Sequence, residues 1–208
     1  MIITKEFEGE MAHIVRNCST ERCKRSIHGH SYKVLVSLKS NCLDNAGMIC
    51  DFGLMKGSIK QFIDSFDHCT VLWNKDDEEY INSIKKYSAR WISLPFNPSA
   101  ELLSRFILSA VNGILKSTNF ENNEGVVRAY SVQYYETRTG SATSFAEEDL
   151  NSLTSIFREF PVVEFSEAVM KDWSSELLNW VKRGAQIRED PYEKYFSNPI
   201  VDQQVIAW

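Results

Sequence analysis

Residues 28–39 read HGHSYKVLVSLK, and apolar residues occupy every second position after the HGH that opens this stretch. A period of two predicts a β-strand with one buried face. Both histidines share the parity of the apolar residues, because side chains two apart in a strand point to the same face. Residues 2–16 alternate in a similar way, place His13 on their apolar parity and predict a preceding strand. The loop Arg16–Arg25 between the two strands is polar and cationic.

Periodicity farther along the chain predicts two helices and two more strands. Residues 53–66 carry a rough apolar stripe at helical spacing, and a longer helix begins at Asn97-Pro98, where Asn97 can cap and proline suits the first turn. Residues 126–136 alternate as a strand, and residues 141–146 form its partner after the turn Thr137–Gly140. The order strand, strand, helix, helix, strand, strand predicts an α+β fold with an antiparallel sheet.

The character of the sequence changes near residue 147, after which an acidic stretch and a different pattern begin. We therefore predict one domain over residues 1–147 and a C-terminal extension over residues 148–208. A helix is predicted within the extension at 167–183, and the end of the chain reads as irregular. The extension is expected to pack on the core or on a neighbouring subunit.

The composition limits the class of protein. Hydrophobic residues make up 43% and charged residues 25% of 208 residues, which is ordinary for a globular protein. A net charge of −5 argues against direct nucleic-acid binding. No stretch approaches the roughly 20 apolar residues of a membrane span, and the N-terminal residues lack signal-peptide features, so a cytoplasmic protein without a membrane partner is expected. The five cysteines then favour free thiols over disulfides.

Three of the four histidines lie within the first thirty residues. If the two strands pair, His13 converges with His28 and His30, and three imidazoles with an open fourth position form a catalytic zinc site. The alternative is a chance His-x-His beside an ordinary core histidine. Another alternative adds Cys18 and Cys23 to the histidines in a structural zinc site.

Other residues carry groups suited to acid–base chemistry or recognition. Cys23 lies among cations, which favour a thiolate base or nucleophile, or it is a surface thiol. Asp67 directly precedes His68, and a carboxylate can orient an imidazole and raise its basicity. Glu136 ends a strand, where it can bind a planar amidine-like edge with two hydrogen bonds or form a surface salt bridge.

Several motifs occur together in an order that resembles one known family. They are His13, Cys23, His28-Gly29-His30, Gly47-Met48-Ile49-Cys50-Asp51-Phe52, Asp67-His68, Pro98-Ser99-Ala100-Glu101 and Glu136-Thr137. The set resembles the 6-pyruvoyltetrahydropterin synthase superfamily, and within it the 6-carboxytetrahydropterin synthase (QueD) branch, over about residues 2–146. The resemblance implies a tunnelling fold, with a four-stranded antiparallel sheet and two helices between strands two and three. It also implies a homo-oligomer, with trimers stacked into hexamers and active sites at subunit interfaces.

The resemblance implies Zn²⁺ as the cofactor and a role for each matching residue. Cys23 would abstract a proton, Asp67 and His68 would complete its relay, and a glutamate would anchor the 2-amino-4-oxo pyrimidine edge of the pterin. The implied site residues are His13, His28 and His30 as zinc ligands, Cys23, Asp67, His68 and Glu136 as catalytic residues, and Glu136 and Ser99 as pterin contacts.

The implied substrate is 7,8-dihydroneopterin triphosphate, whose triphosphate needs local cations in a chain of negative charge. The hypothesised contacts are Arg16, Arg22, Lys24 and Arg25. Cys23 lies five residues before His28, one more than is usual in the carboxy branch. The product is therefore open between the carboxy compound of 7-deazaguanine (preQ0, queuosine) biosynthesis and the pyruvoyl compound of tetrahydrobiopterin synthesis. A non-catalytic zinc-binding assembly scaffold is the alternative of another class.

Overall fold

The two strands predicted first form a long antiparallel hairpin in the computed structural model, which describes residues 1–146 and 162–186. β1 (Ile2–His13) pairs with β2 (His28–Lys39) along its whole length, with His13 opposite His28. β2 also pairs antiparallel with the strand Arg128–Tyr135, which continues through a turn into the strand Ser141–Phe145. These pairings confirm the predicted antiparallel part of the sheet.

The sheet has seven strands, so the prediction of four is wrong. The remaining strands are β3 (Cys69–Trp73), β4 (Trp91–Leu94), β5 (Arg128–Tyr135), β6 (Ser141–Phe145) and β7 (Glu164–Phe165). Their order is β6-β5-β2-β1-β3-β4-β7, and the β1–β3 and β3–β4 pairs are parallel. The missed strands β3 and β4 are short and largely buried on both faces, and such strands lack the alternation on which the prediction depended.

The structure adds two helices that were not predicted, over Glu21–Arg25 and Glu78–Tyr87, and the predicted helices differ mainly at their ends. They are α1 (Glu21–Arg25), a 3-10 helix (Leu54–Lys56), α2 (Ser58–Asp64), α3 (Glu78–Tyr87), α4 (Ala100–Ser117), α5 (Glu167–Met170) and α6 (Ser175–Gln186). Gly57 interrupts the helix predicted over 53–66. Ser99, not Asn97, caps α4, because Asn97 instead bonds the backbone of Arg16. Among the helices of the described ranges, none is long and apolar enough to cross a membrane.

The hydrophobic core lies between the sheet and helices α2 and α4. α4 buries most of its residues, among them Leu103, Phe106 and Ile107, and it packs against β5 and β6. β2 contributes the fully buried side chains of Val34 and Val36. The apolar periodicities that predicted these elements therefore meet in one core.

Part of the predicted extension packs on the core of the same chain. β7 adds to the edge of the sheet beside β4, and Val169 and Leu177 are fully buried. The helix predicted over 167–183 is divided into α5 and α6. The predicted domain boundary at residue 147 and the acidic stretch that follows it fall outside the described residues, so that boundary stays a prediction.

Replacing Trp173 with alanine is expected to destabilise the protein by about 3–5 kcal/mol. The indole is buried, contacts Phe165 with a ring separation of 4.8 Å and donates a hydrogen bond from Nε1 to Ser65 Oγ at 2.7 Å. Urea unfolding followed by circular dichroism measures the change. Tyr87→Ala, at a side chain that is 78% exposed, is the control and should cost less than about 1 kcal/mol. Equal effects of the two variants would contradict the packing of this segment on the core.

Candidate metal centre and active site

Three histidines converge at the end of the β1–β2 hairpin where the connecting loop joins the two strands. His13 and His28 are directly opposite each other, and His30 lies two residues along β2 on the same face. The ring centroids are 4.7 to 5.0 Å apart, and the candidate ligand atoms all lie within 4.8 Å of one another. The convergence predicted from strand parity is therefore present.

The residues at this point fit a bound divalent transition metal. His13 is fully buried, and neither of its ring nitrogens makes a hydrogen bond within the described part of the chain; the same holds for Nε2 of His30. Buried nitrogens without partners are costly unless a ligand satisfies them. His28 Nδ1 lies 2.9 Å from the Ser26 carbonyl and donates to it, which leaves Nε2 free to bind an ion. Imidazole ligands suit zinc and its transition-metal neighbours.

Glu136 lies against the histidine cluster. Its Oε1 is 3.3 Å from Nε2 of His13 and 3.8 Å from Nε2 of His30. The contact with His13 lowers the pKa of the Glu136 carboxyl, although burial opposes this. Burial lowers the pKa of His30, the Glu136 charge opposes that shift, and the neighbouring histidines add to it. The site therefore combines an ionised carboxylate with a neutral imidazole, the form that binds metal.

Cys23 lies in α1, in the loop that joins the hairpin strands. Its carbonyl accepts a hydrogen bond from the Val15 N–H at 3.0 Å. Arg16 fixes the same loop, because its Nη1 donates to the Lys24 carbonyl at 2.8 Å while its Nε contacts both carboxylate oxygens of Asp76. Arg16 therefore anchors the loop that carries Cys23.

The cysteine-containing zinc site has no support in the geometry. In residues 1–146 and 162–186, the side chains that converge as a possible metal site are the three histidines alone. The thiol of Cys18 instead donates to the Thr20 carbonyl at 3.3 Å. The candidate metal centre therefore consists of imidazoles.

The cations proposed to bind the triphosphate differ in whether they already form an ion pair with an acidic side chain. Arg16 is paired with Asp76, and Lys24 is paired with Glu21. Arg22 and Arg25 are exposed, and neither forms an ion pair with any described residue. The first pair of cations already has acidic partners, so the exposed arginines are the stronger candidates for a polyanion.

Asp67 and His68 form a close pair at the turn into β3. Asp67 Oδ2 lies 3.0 Å from His68 Nδ1, and Oδ1 accepts the Glu10 N–H at 2.8 Å. Burial raises the pKa of Asp67, but these hydrogen bonds outweigh it and hold the pKa below its usual value. The pair lines a cavity of about 480 Å³ that none of the three histidines lines. No hydrogen bond or ion pair joins it to Cys23 within the described chain.

Gly9 makes room for this pair and was not singled out by the sequence. It lies opposite Tyr32 in the hairpin, and a Cβ there would lie 2.5 Å from the Tyr32 hydroxyl and 2.8 Å from Asp67 Oδ1. A glycine inside a strand is the sequence signal for such close approach. Ser99, by contrast, uses its hydroxyl to cap α4 by accepting the Leu102 N–H at 3.4 Å.

Comparisons with known proteins agree with this geometry. A family model for 6-pyruvoyl tetrahydropterin synthase matches residues 2–147. A 6-carboxy-5,6,7,8-tetrahydropterin synthase of Helicobacter pylori strain J99 is 38% identical over 173 residues, covering 83% of this chain and 86% of the relative. The corresponding enzyme of Rickettsia typhi is 33% identical over 54% of this chain and 78% of its own length. The Helicobacter match exceeds the family model, so residues beyond 147 also have counterparts.

Two solved structures share the fold. An uncharacterized protein from Wolinella succinogenes gives a TM-score of 0.58 at 22% identity, covering 70% of this chain and 97% of that protein. The 6-pyruvoyl tetrahydropterin synthase of Plasmodium falciparum gives 0.50 at 18% identity, covering 69% and 96%. The tunnelling fold is thus present, enlarged here to seven strands. Together with the match over residues 2–147, this shows that the chain belongs to the 6-pyruvoyl tetrahydropterin synthase family.

Proposed function

We propose that this chain is a zinc-dependent enzyme that converts 7,8-dihydroneopterin triphosphate to 6-carboxy-5,6,7,8-tetrahydropterin, with release of acetaldehyde and triphosphate. The observation that carries the proposal is the convergence of three imidazoles beside Glu136, in a family to which the chain belongs. The two Helicobacter relatives, at 38% and 36% identity, are named for the same carboxy product. The product would enter 7-deazaguanine (preQ0, queuosine) biosynthesis.

Each residue contributes a distinct part of the proposed chemistry. When bound, zinc would polarise the substrate's side-chain oxygens and lower the pKa of adjacent C–H and O–H groups. Cys23 would remove a proton from the side chain, and the Asp67–His68 pair would return one. Glu136, held ionised beside the histidines, would accept hydrogen bonds from the amino-pyrimidine edge. Arg22 and Arg25 would bind the triphosphate.

We expect the active enzyme to be a homo-oligomer, with a hexamer as the proposed state. Within one chain, Asp67 and His68 line a cavity that is separate from the histidine cluster. A relay between Cys23 and the pair would therefore join residues of two subunits. Size-exclusion chromatography with light scattering measures the assembly.

The decisive experiment incubates the purified protein with 7,8-dihydroneopterin triphosphate and identifies the products by mass spectrometry. We expect acetaldehyde and the carboxy product, loss of turnover with a chelator, and recovery when zinc is restored. A pyruvoyl product would instead assign the tetrahydrobiopterin reaction. Bound zinc without turnover of this substrate would overturn the proposal in favour of a non-catalytic scaffold.

A further inference from the structure

Arg90 joins the Asp67–His68 turn to the C-terminal segment 166–173. Its Nε donates to the Asp67 carbonyl at 2.9 Å, and its Nη2 donates to the Asp64 carbonyl at 3.2 Å. Its Nη1 donates to the Ala168 carbonyl at 3.3 Å and to Asp172 Oδ2 at 2.5 Å. A single guanidinium therefore bonds the turn and the segment at once.

The turn has a geometry that needs such support. His68 has a φ of 53°, in the left-handed region that non-glycine residues seldom adopt. Its N–H donates to the Glu10 carbonyl, and Asp67 Oδ1 accepts the N–H of the same Glu10. Asp64 ends α2, and its carbonyl accepts the Asp67 N–H at 3.0 Å as well as the Arg90 guanidinium, which also binds the Asp67 carbonyl. Arg90 therefore holds the main chain that aims the Asp–His pair.

The segment 166–173 forms part of the wall of the same cavity. Val169, Asp172 and Trp173 line it together with Asp67 and His68. The segment is fixed to the core by the Trp173 indole and by the Ser166 hydroxyl, which accepts the Trp91 N–H at 3.2 Å. It lies beyond residue 147, where the match to the family model ends.

We propose that Arg90 is a positioning residue for the Asp67–His68 pair. We also propose that Asp172, by binding Arg90, lets the C-terminal segment support this position and form part of the active-site wall. This inference rests on the proposed function for the role of the pair, and on the geometry alone for the role of Arg90. Arginine suits the position because its planar fork can donate to four acceptors in different directions. A lysine keeps the charge but cannot make these bonds together.

The test compares Arg90→Lys and Asp172→Asn with a matched control, Glu164→Gln. Glu164 lies in β7, just before the C-terminal segment, and forms an ion pair with Lys85 of α3 at 2.5 Å, away from the turn. We expect Arg90→Lys to lower kcat by roughly 10–100-fold with little change in KM, because small misplacements of a catalytic group are costly. Asp172→Asn should give a smaller loss, and Glu164→Gln none.

Two further measurements separate positioning from general stability. In protein labelled with ¹⁵N-histidine, the ring signals of His68 should shift in Arg90→Lys and stay unchanged in Glu164→Gln. In an Asp67→Asn background, Arg90→Lys should cause no further loss of kcat. Unchanged kcat and unchanged His68 signals in Arg90→Lys would overturn the inference. If the wild-type protein does not turn over dihydroneopterin triphosphate, the proposed function fails, while the His68 signals still decide the role of Arg90.

Discussion

His28→Ala is expected to purify without stoichiometric metal and to lose turnover by about 10³-fold or more. The converging set has three imidazoles, and two remaining ligands are too few for a catalytic zinc site. A metal that polarises substrate oxygens contributes several kcal/mol, and each 1.36 kcal/mol changes a rate about tenfold. His28 is preferable to His13 for this test because His13 is fully buried and its removal also opens a cavity.

Elemental analysis of the purified variant gives the metal content, and the dihydroneopterin triphosphate assay gives the rate. The control is His68→Ala, because the His68 ring is 75% exposed and lies outside the converging set. This control should keep the metal of the wild-type protein while it loses activity. A His28→Ala variant that retains one metal per chain would remove His28 from the ligand set.

Cys23→Ala is expected to lower turnover by about 10²–10⁴-fold, the usual contribution of a general base. Metal content and thermal stability should not change, because the sulfur of Cys23 is not part of the converging set. The loop should also keep its shape, since its bonds to Val15 and Arg16 involve the main chain of the loop.

Cys18→Ala is the matched control for Cys23→Ala. Cys18 lies in the same loop, and its thiol donates to the nearby Thr20 carbonyl, so turnover should stay within about twofold of wild type. Equal activity of Cys23→Ala and the wild-type protein would exclude the thiol from the mechanism. Equal losses in both variants would instead indicate damage to the loop.

The histidine cluster could be predicted from sequence because it follows from local rules. Residues of one strand alternate between faces, and the hairpin places His13 opposite His28, so parity alone brought three rings together. The same rule predicted the β5–β6 hairpin and the buried face of β2. These features depend only on strands that follow one another in the sequence, so the local pattern is enough to predict them.

Features that depend on distant parts of the chain could not be predicted in this way. β4 and β7 pair across about seventy residues, and neither is long enough to show a period. Arg90 stands in no motif, and its role depends on carbonyls more than twenty residues away in both directions. Asn97 was predicted to cap a helix, but its side-chain oxygen instead accepts the Arg16 N–H. Tertiary partners overrode local preference at each of these positions.

The bare backbone at Gly9 has a consequence for protein engineering. Its missing methyl group leaves the space that the Tyr32 phenol and the Asp67 carboxylate share. Transplanting the acid–imidazole dyad to another scaffold would therefore require importing an empty strand position as well as the two reactive side chains. A design that copied only the chemically active residues would miss this glycine, because its contribution is the lack of a side chain.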